Sequence, residues 1–127
     1  MMRTASCSCG QLRLTAPDGP TRTSVCHCLA CQKRTGSVFG FQARWRRDQV
    51  QLSGEARVWR RVGDELGTAL DFRFCPTCGS TVWFTEDNEP DVIAVAVGAF
   101  ADPDFPAPIR SYHEDTRHPW VALPYGI

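Results

Sequence analysis

The sequence predicts an all-β domain built from small sheets. Three observations carry that prediction. Apolar residues recur at every second position in six short stretches, glycine and proline stand between those stretches, and seven cysteines gather in three clusters able to tie short strands together. No stretch of period 3.6 is long enough for a substantial helix. Repeats and low-complexity segments are absent, so residues 1–127 read as a single domain.

In chain order, "QLRLTA" (11–16) sets Leu12 and Leu14 on one side of a strand. "VFGFQARW" (38–45) sets Phe39, Phe41, Ala43 and Trp45 on one face. "ARVWRRV" (56–62), "TALDFRF" (68–74), "STVWFT" (80–85) and "DVIAVAVGAF" (91–100) complete the strand set. "APDGP" (16–20), "SG" (53–54) and "GDELG" (63–67) supply turns. "LACQKRTG" (29–36) is the one stretch suited to a short helical turn. Four prolines within 101–120 make that segment an irregular arm, able to lie over a site.

Composition is that of an ordinary globular chain, with 43% apolar and 22% charged residues. The longest apolar run, "VIAVAVGAFA" (92–101), falls short of the ~18 residues of a membrane span and reads as a buried strand with its exit. The start, "MMRTASCSCG", has no apolar leader segment, so a cytoplasmic protein without membrane contact is expected. The net charge of zero hides an asymmetry. Residues 1–62 hold eleven Lys/Arg and three Asp/Glu, and residues 63–127 the reverse. The simpler reading is that the halves fold onto each other with their charges interleaved. The sharper one is a basic rim that attracts an anionic substrate.

Seven cysteines in 127 residues lie below the ~8–10% of a disulfide scaffold, and seven is odd. Short-spaced thiols in such a chain point to metal. "FCPTCGS" (74–80) is a knuckle whose two thiolates need two more ligands. "SCSCGQL" (6–12) offers them, since residues i and i+2 of an extended strand point the same way. Cys7, Cys9, Cys75 and Cys78 then close a tetrahedral, all-thiolate zinc site with a structural role. Cys26, Cys28 and Cys31 remain together as a three-thiolate site, giving two Zn²⁺ per chain.

The order C-x-C, then C-H-C-x-x-C followed by Q-K-R-T-G-S, then F-C-P-x-C-G-S, resembles the glutathione-dependent formaldehyde-activating enzyme family, whose domain is shared with centromere protein V. The resemblance runs over roughly residues 5 to 125, and "HPWVALPYG" (118–126) looks like that family's closing segment. It implies a Mss-four-like fold of small twisted antiparallel sheets organised by two zinc sites. Carried over by position, Cys7, Cys9, Cys75 and Cys78 bind the structural zinc, and Cys26, Cys28 and Cys31 a catalytic one. It also implies carbon–sulfur lyase chemistry, in which formaldehyde and glutathione combine to S-hydroxymethylglutathione. The chain is shorter than the family's named enzyme.

Zinc with three thiolates carries one open position, which suits a soft thiolate. A glutathione-like thiol held there as thiolate would add to an aldehyde carbonyl, giving a hemithioacetal, and the reverse step would split the C–S bond. Water activation ranks lower, because residues 25–42 hold no acid to act as base. Alternatively the triad is structural, closed by His113 or His118 of the arm or by a second copy of the chain in a homo-oligomer. His27, between two ligands, is expected to point away from the metal. Lys33 and Arg34 are candidates for binding the thiol's carboxylates, against the plainer reading of an exposed basic turn. His113, Glu114 and Asp115 are candidates for proton transfer if the arm covers the zinc. Trp45, Trp59, Trp83, Trp120 and Phe39 read as core or sheet-face residues.

Two other classes compete. "RWRR" (44–47) and "RVWRR" (57–61) interleave arginine with tryptophan, as nucleic-acid surfaces do, but the isoelectric point of about 6.8 is far from the >9 of a basic domain. A redox or metal sensor is the third reading, since exposed thiolates oxidise.

Overall fold

The computed structural model describes residues 1–63 and 67–124. The centre of the "GDELG" turn and the end of the "HPWVALPYG" segment lie outside those residues. The described residues are mostly β. In chain order they form β1 (Met2–Ser6), β2 (Arg13–Pro17), β3 (Arg22–Cys26), the short helix α1 (Leu29–Thr35), β4 (Gly40–Arg46) and β5 (Gln51–Ser53). Then come β6 (Arg57–Val62), β7 (Ala69–Phe74), β8 (Thr81–Glu86), β9 (Glu89–Ala96) and β10 (Arg110–Tyr112).

The strands make a three-stranded sheet, ordered β1-β2-β5, and a seven-stranded sheet, ordered β10-β3-β4-β9-β8-β7-β6. The expectation of small sheets therefore holds for one of the two. Register explains the layering. Arg73, Trp83, Val95, Ala43 and Thr23 lie in one row across the large sheet. Trp83, Val95 and Ala43 of that row turn toward the small sheet and pack with Ala5, Leu12, Leu14, Ala16, Trp45 and Ile93 in the main core. Trp45 is fully buried and donates its indole N–H to the Pro17 carbonyl at 2.8 Å. The neighbouring row is Trp59, Phe72, Phe84, Ala94, Arg44 and Arg22. It turns the other way, where Phe72, Phe84 and Ala94 form a second apolar cluster. Phe41, Ala43 and Trp45 share the core face as the alternation predicts, but Phe39 precedes the strand and packs edge-on against His27, and the intervening Gln42 and Arg44 are buried as well.

Other elements depart from the sequence reading. β1 and β3 escaped notice because "MRTAS" and "RTSVC" hold too few apolar residues to show a period. The run 91–100 is strand only to Ala96. A 3-10 turn over Val97–Phe100 then swings Phe100 against Trp45, ring centroids 5.7 Å apart. The arm is not wholly irregular: Arg110–Tyr112 pairs with β3 in parallel, so the large sheet is not purely antiparallel. Trp59 lies on the sheet face as expected, half-exposed and stacked on Phe72 with ring centroids 5.9 Å apart, whereas Trp120 is exposed and in no strand.

The opposite charges of the two halves meet as the simpler reading holds. Arg3 pairs with Asp102 at 3.0 Å, Arg22 with Glu89 at 3.0 Å and Arg44 with Glu86 at 2.8 Å. Arg60 bridges Asp71, at 2.9 Å, and Asp87. Among the described residues no helix is long and apolar enough to cross a membrane.

Candidate metal centres and the cavity beside them

Cys7 and Cys9 do not sit on an extended strand. They flank a tight turn leaving β1, closed by Gly10 N–H donating to the Cys7 carbonyl at 3.1 Å. Cys75 and Cys78 flank a matching turn between β7 and β8, closed by Gly79 N–H to the Cys75 carbonyl at 2.8 Å. Gly10 (φ 86°) and Gly79 (φ 82°) adopt the left-handed conformation that such closures require. Two knuckles thus face each other, one from each sheet. Their four sulfurs lie within 4.8 Å of one another. The Cys7–Cys9 and Cys9–Cys75 sulfur distances are both 3.6 Å. A tetrahedron of 2.3 Å zinc–sulfur bonds has edges of about 3.8 Å, so the donor set fits zinc.

Donors already surround these sulfurs. Cys75 Sγ accepts from Gln11 Nε2 at 3.0 Å and from Thr77 N–H at 3.3 Å, and Cys7 Sγ accepts from Leu12 N–H at 3.3 Å. Burial opposes ionisation of Cys75, but the Gln11 amide and the Cys78 and Thr77 N–H groups outweigh it and bring the thiol down to about 7. Cys78, beside the Ser80 hydroxyl, is brought down to about 5. Cys9 is held up at about 11: the Gln11 N–H favours its thiolate, but the sulfurs of Cys7, Cys75 and Cys78 resist a further negative charge.

The second group is Cys26, Cys28 and Cys31, whose sulfurs also lie within 4.8 Å of one another. Cys26 ends β3. Cys28 caps α1, its Sγ accepting the Cys31 N–H at 3.3 Å, and Cys31 follows on the first turn. One strand end, one cap and one helical position converge on a point. Cys31 is brought down to about 5, first by the Cys26 thiol donating to it, then by Cys28 and Arg34, against the cost of burial. Cys26 is pushed up by that same hydrogen bond to Cys31 and by burial. Three crowded sulfurs share one negative charge well and three badly, which is the electrostatics of a site built for a cation. Among the described residues no His, Asp, Glu or further Cys joins this group. His118 instead meets Gln32 Oε1 with its Nε2 at 3.0 Å.

The triad forms one end of a cavity of about 550 Å³. Its floor is the outer face of the large sheet: Arg22, Gln42, Arg44, Phe72 and Phe84, with Arg61 and Leu70 at the far side. The arm roofs it with Tyr112, His113, Asp115 and Thr116. His113 takes a left-handed backbone (φ 60°), turning the arm over the opening.

The expected site residues divide here. Arg34 lines the cavity, whereas Lys33 is exposed and does not, because adjacent positions on a helix point about 100° apart. His113 and Asp115 line it, whereas Glu114 turns beneath. Its carboxylate accepts from Ser111 Oγ at 2.7 Å and pairs with Arg117 at 2.8 Å, and both hold its pKa below the usual range. His27 is fully buried behind the triad, Nε2 2.8 Å from Ser111 Oγ, with Phe39 edge-on to its ring. Burial pulls its pKa down, against the opposing pull of Glu114. The "RWRR" strip does not form one surface, since Trp45 enters the core and Arg44 the cavity.

Sequence reasoning missed Gln32. Its amide donates to the His27 carbonyl at 2.9 Å and the Thr116 carbonyl at 3.0 Å, stapling α1, the triad loop and the arm together. Gln32→Ala should cost about 2–3 kcal/mol through the lost bonds and the carbonyls left short of a donor. Proteolysis between residues 110 and 118 should accelerate. An unchanged digestion pattern would show that Gln32 does not hold the arm. Gln42, Arg44 and Arg61 were missed as well. A polar residue at every second strand position signals the face away from the core, not whether water or a cavity lies there.

Comparison with known proteins bears on the family and the fold. The family model described as glutathione-dependent formaldehyde-activating enzyme matches residues 2–117. Among curated proteins nothing matches. A solved structure of a Rhodobacter sphaeroides protein superposes with a TM-score of 0.62 at 17% identity, covering 85% of this chain and 98% of that one, a likeness of fold.

Proposed function

Since the chain belongs to the glutathione-dependent formaldehyde-activating enzyme family, we propose that it joins a glutathione-like thiol to an aldehyde, and splits the adduct in reverse, as a carbon–sulfur lyase. The observation that carries this reading is a three-sulfur group at the end of a roomy cavity, with no fourth ligand among the described residues. Cys26, Cys28 and Cys31 would hold the catalytic zinc, and Cys7, Cys9, Cys75 and Cys78 the structural one. When bound at the triad, zinc would keep a substrate thiol ionised at neutral pH and so make its sulfur a nucleophile.

The chain's own residues then bind and orient. Arg34 offers its guanidinium to a carboxylate of the thiol substrate. Phe72, Phe84 and Leu70 supply an apolar wall, and the arm limits water. The new bond runs from sulfur to the carbonyl carbon. The carbonyl oxygen takes up the proton that the thiol gave up, and His113 or Asp115, which line the cavity, would pass it. Glu114 is committed elsewhere and has no such role.

The test is to add glutathione to the zinc-loaded protein and follow the metal's sulfur coordination by X-ray absorption, alongside the rate of adduct formation with formaldehyde by exchange NMR. One additional sulfur at half of the zinc, with accelerated exchange, is expected. An unchanged shell and an uncatalysed rate would assign both centres to structure.

A further inference from the structure

His27 stands between two members of the three-sulfur group, and its polar atoms are committed to the arm. Its N–H donates to the Tyr112 carbonyl at 3.0 Å. Its carbonyl accepts from Thr116 Oγ1 at 2.8 Å and from Gln32 Nε2 at 2.9 Å. The same Gln32 nitrogen donates to the Thr116 carbonyl at 3.0 Å. The ring Nε2 lies 2.8 Å from Ser111 Oγ. That hydroxyl donates to Glu114 Oε2 at 2.7 Å, so it accepts from the ring, whose proton is then on Nε2. Among the described residues only Nδ1 of His27 has no partner. β10 adds a parallel pairing with β3 that runs from Arg110 opposite Ser24 to Tyr112 opposite Cys26, and so ends on the first of the three cysteines.

The link from sulfur to arm is short and stiff. Cys26 ends β3 and Cys28 caps α1. A cation that draws their sulfurs to one point fixes the chain on both sides of His27. Peptide planarity then fixes where the His27 N–H and C=O point, and those are the groups the arm bonds to. The other sulfur group has no such link. The hydrogen bonds around it come from Gln11, Leu12, Thr77 and Ser80, none of them on the arm.

We propose that Thr116, Ser111 and Gln32 are positioning residues for the metal at Cys26, Cys28 and Cys31, coupling the docking of the arm to the occupancy of the triad through His27. The arm then roofs the cavity firmly when the metal is bound, and the metal is held tightly when the arm is docked. Linkage makes the two effects equal: the factor that docking adds to metal affinity is the factor that the metal adds to docking. Tyr112, His113, Asp115 and Thr116 line the cavity, so the metal sets how closed the cavity is. The proposal rests on the reading of the triad as a zinc site, and not on the reaction proposed there.

Two measurements on the full chain test it: zinc affinity at each site by competition with a chromophoric chelator, and amide hydrogen exchange over residues 109–118. Thr116→Val removes the hydroxyl and keeps the shape. It should weaken zinc at the triad about tenfold, as lost outer-shell hydrogen bonds do, and leave the Cys7, Cys9, Cys75 and Cys78 site unchanged. Thr116→Ser, which keeps the hydroxyl, should bind as the wild type does. In the zinc-loaded wild type, exchange over 109–118 should run about tenfold slower than in zinc-loaded Cys28→Ser, with β8 alike in the two. An arm with only a structural role would leave the two zinc affinities undivided. Equal change at both sites in Thr116→Val, or no change at either, therefore overturns the coupling. If Thr116→Val fails to fold, the exchange comparison decides alone, and equal exchange over the arm overturns the coupling. A wild type that binds two zinc ions and fails these comparisons loses the coupling but keeps the triad as a metal site. A wild type that binds only one, still bound in Cys28→Ser, loses both.

Discussion

Cys75→Ala should release one of two equivalents of zinc and lower the melting temperature by at least ~15 °C. Cys75 is fully buried in the main core and sits where the β7–β8 knuckle meets the β1–β2 knuckle. Removing it would take away one of the four sulfurs that could hold zinc and leave the Thr77 N–H and one of the two Gln11 amide hydrogens without their acceptor, while the amide keeps the Glu55 carbonyl at 2.7 Å. Structural zinc contributes about 10–16 kcal/mol in small metal-dependent folds, as much as the whole net stability of an ordinary domain. This domain also has a core of its own, so partial survival is expected rather than complete unfolding. A loss of about 4 kcal/mol already gives the stated shift for a chain of this size. Thermal melting with metal analysis decides the matter. A variant that keeps both zinc ions and melts with the wild type would mean that the two knuckles do not share a metal.

Cys28→Ser should do the opposite, sparing the fold and abolishing the activity. Cys28 is both a member of the three-sulfur group that could hold zinc and the cap of α1. Serine is among the preferred caps, so its hydroxyl can take over the Cys31 N–H and keep the helix start intact. It cannot replace a thiolate as a soft ligand. The expected result is loss of the other zinc equivalent, a melting point within a few degrees of wild type, and a fall in adduct formation of about a thousandfold, equivalent to ~4 kcal/mol. Retained activity in a variant that lacks this zinc would remove the triad from the chemistry. Together the two substitutions assign one metal to stability and the other to function, because each should spare what the other destroys.

The two cysteine groups that could hold metal were legible in the sequence because their spacing is local. Thiolates at C-x-C, C-x-C-x-x-C and C-P-x-C-G spacing can be counted into a set of four and a set of three before any fold is known, and the sulfurs converge in those sets. The reason given for Cys7 and Cys9 was nevertheless incorrect, since a glycine-closed turn and not a strand brings them together. His27 was placed away from the metal because it alternates with Cys26 and Cys28, and it is found buried against Ser111.

The cavity was not legible. Gln42 and Arg44 sit between apolar neighbours, and alternation alone marks them as facing away from Phe41, Ala43 and Trp45. Whether that second face meets water or a roof is decided by residues far off in the chain. Here it is the arm at 110–116, folded back parallel to β3, and α1 reaching across Gly40. The same holds for Arg61. In sequence it belongs to a basic strand beside Arg60, yet a shift of one position on a strand sends Arg60 to Asp71 and Asp87 and Arg61 to Phe72. By itself the sequence determined the strand-rich class and the two cysteine groupings, because each depends on residue types at short spacing. Only the tertiary structure decided which polar residues line a site, because that depends on what long-range pairing lays over them.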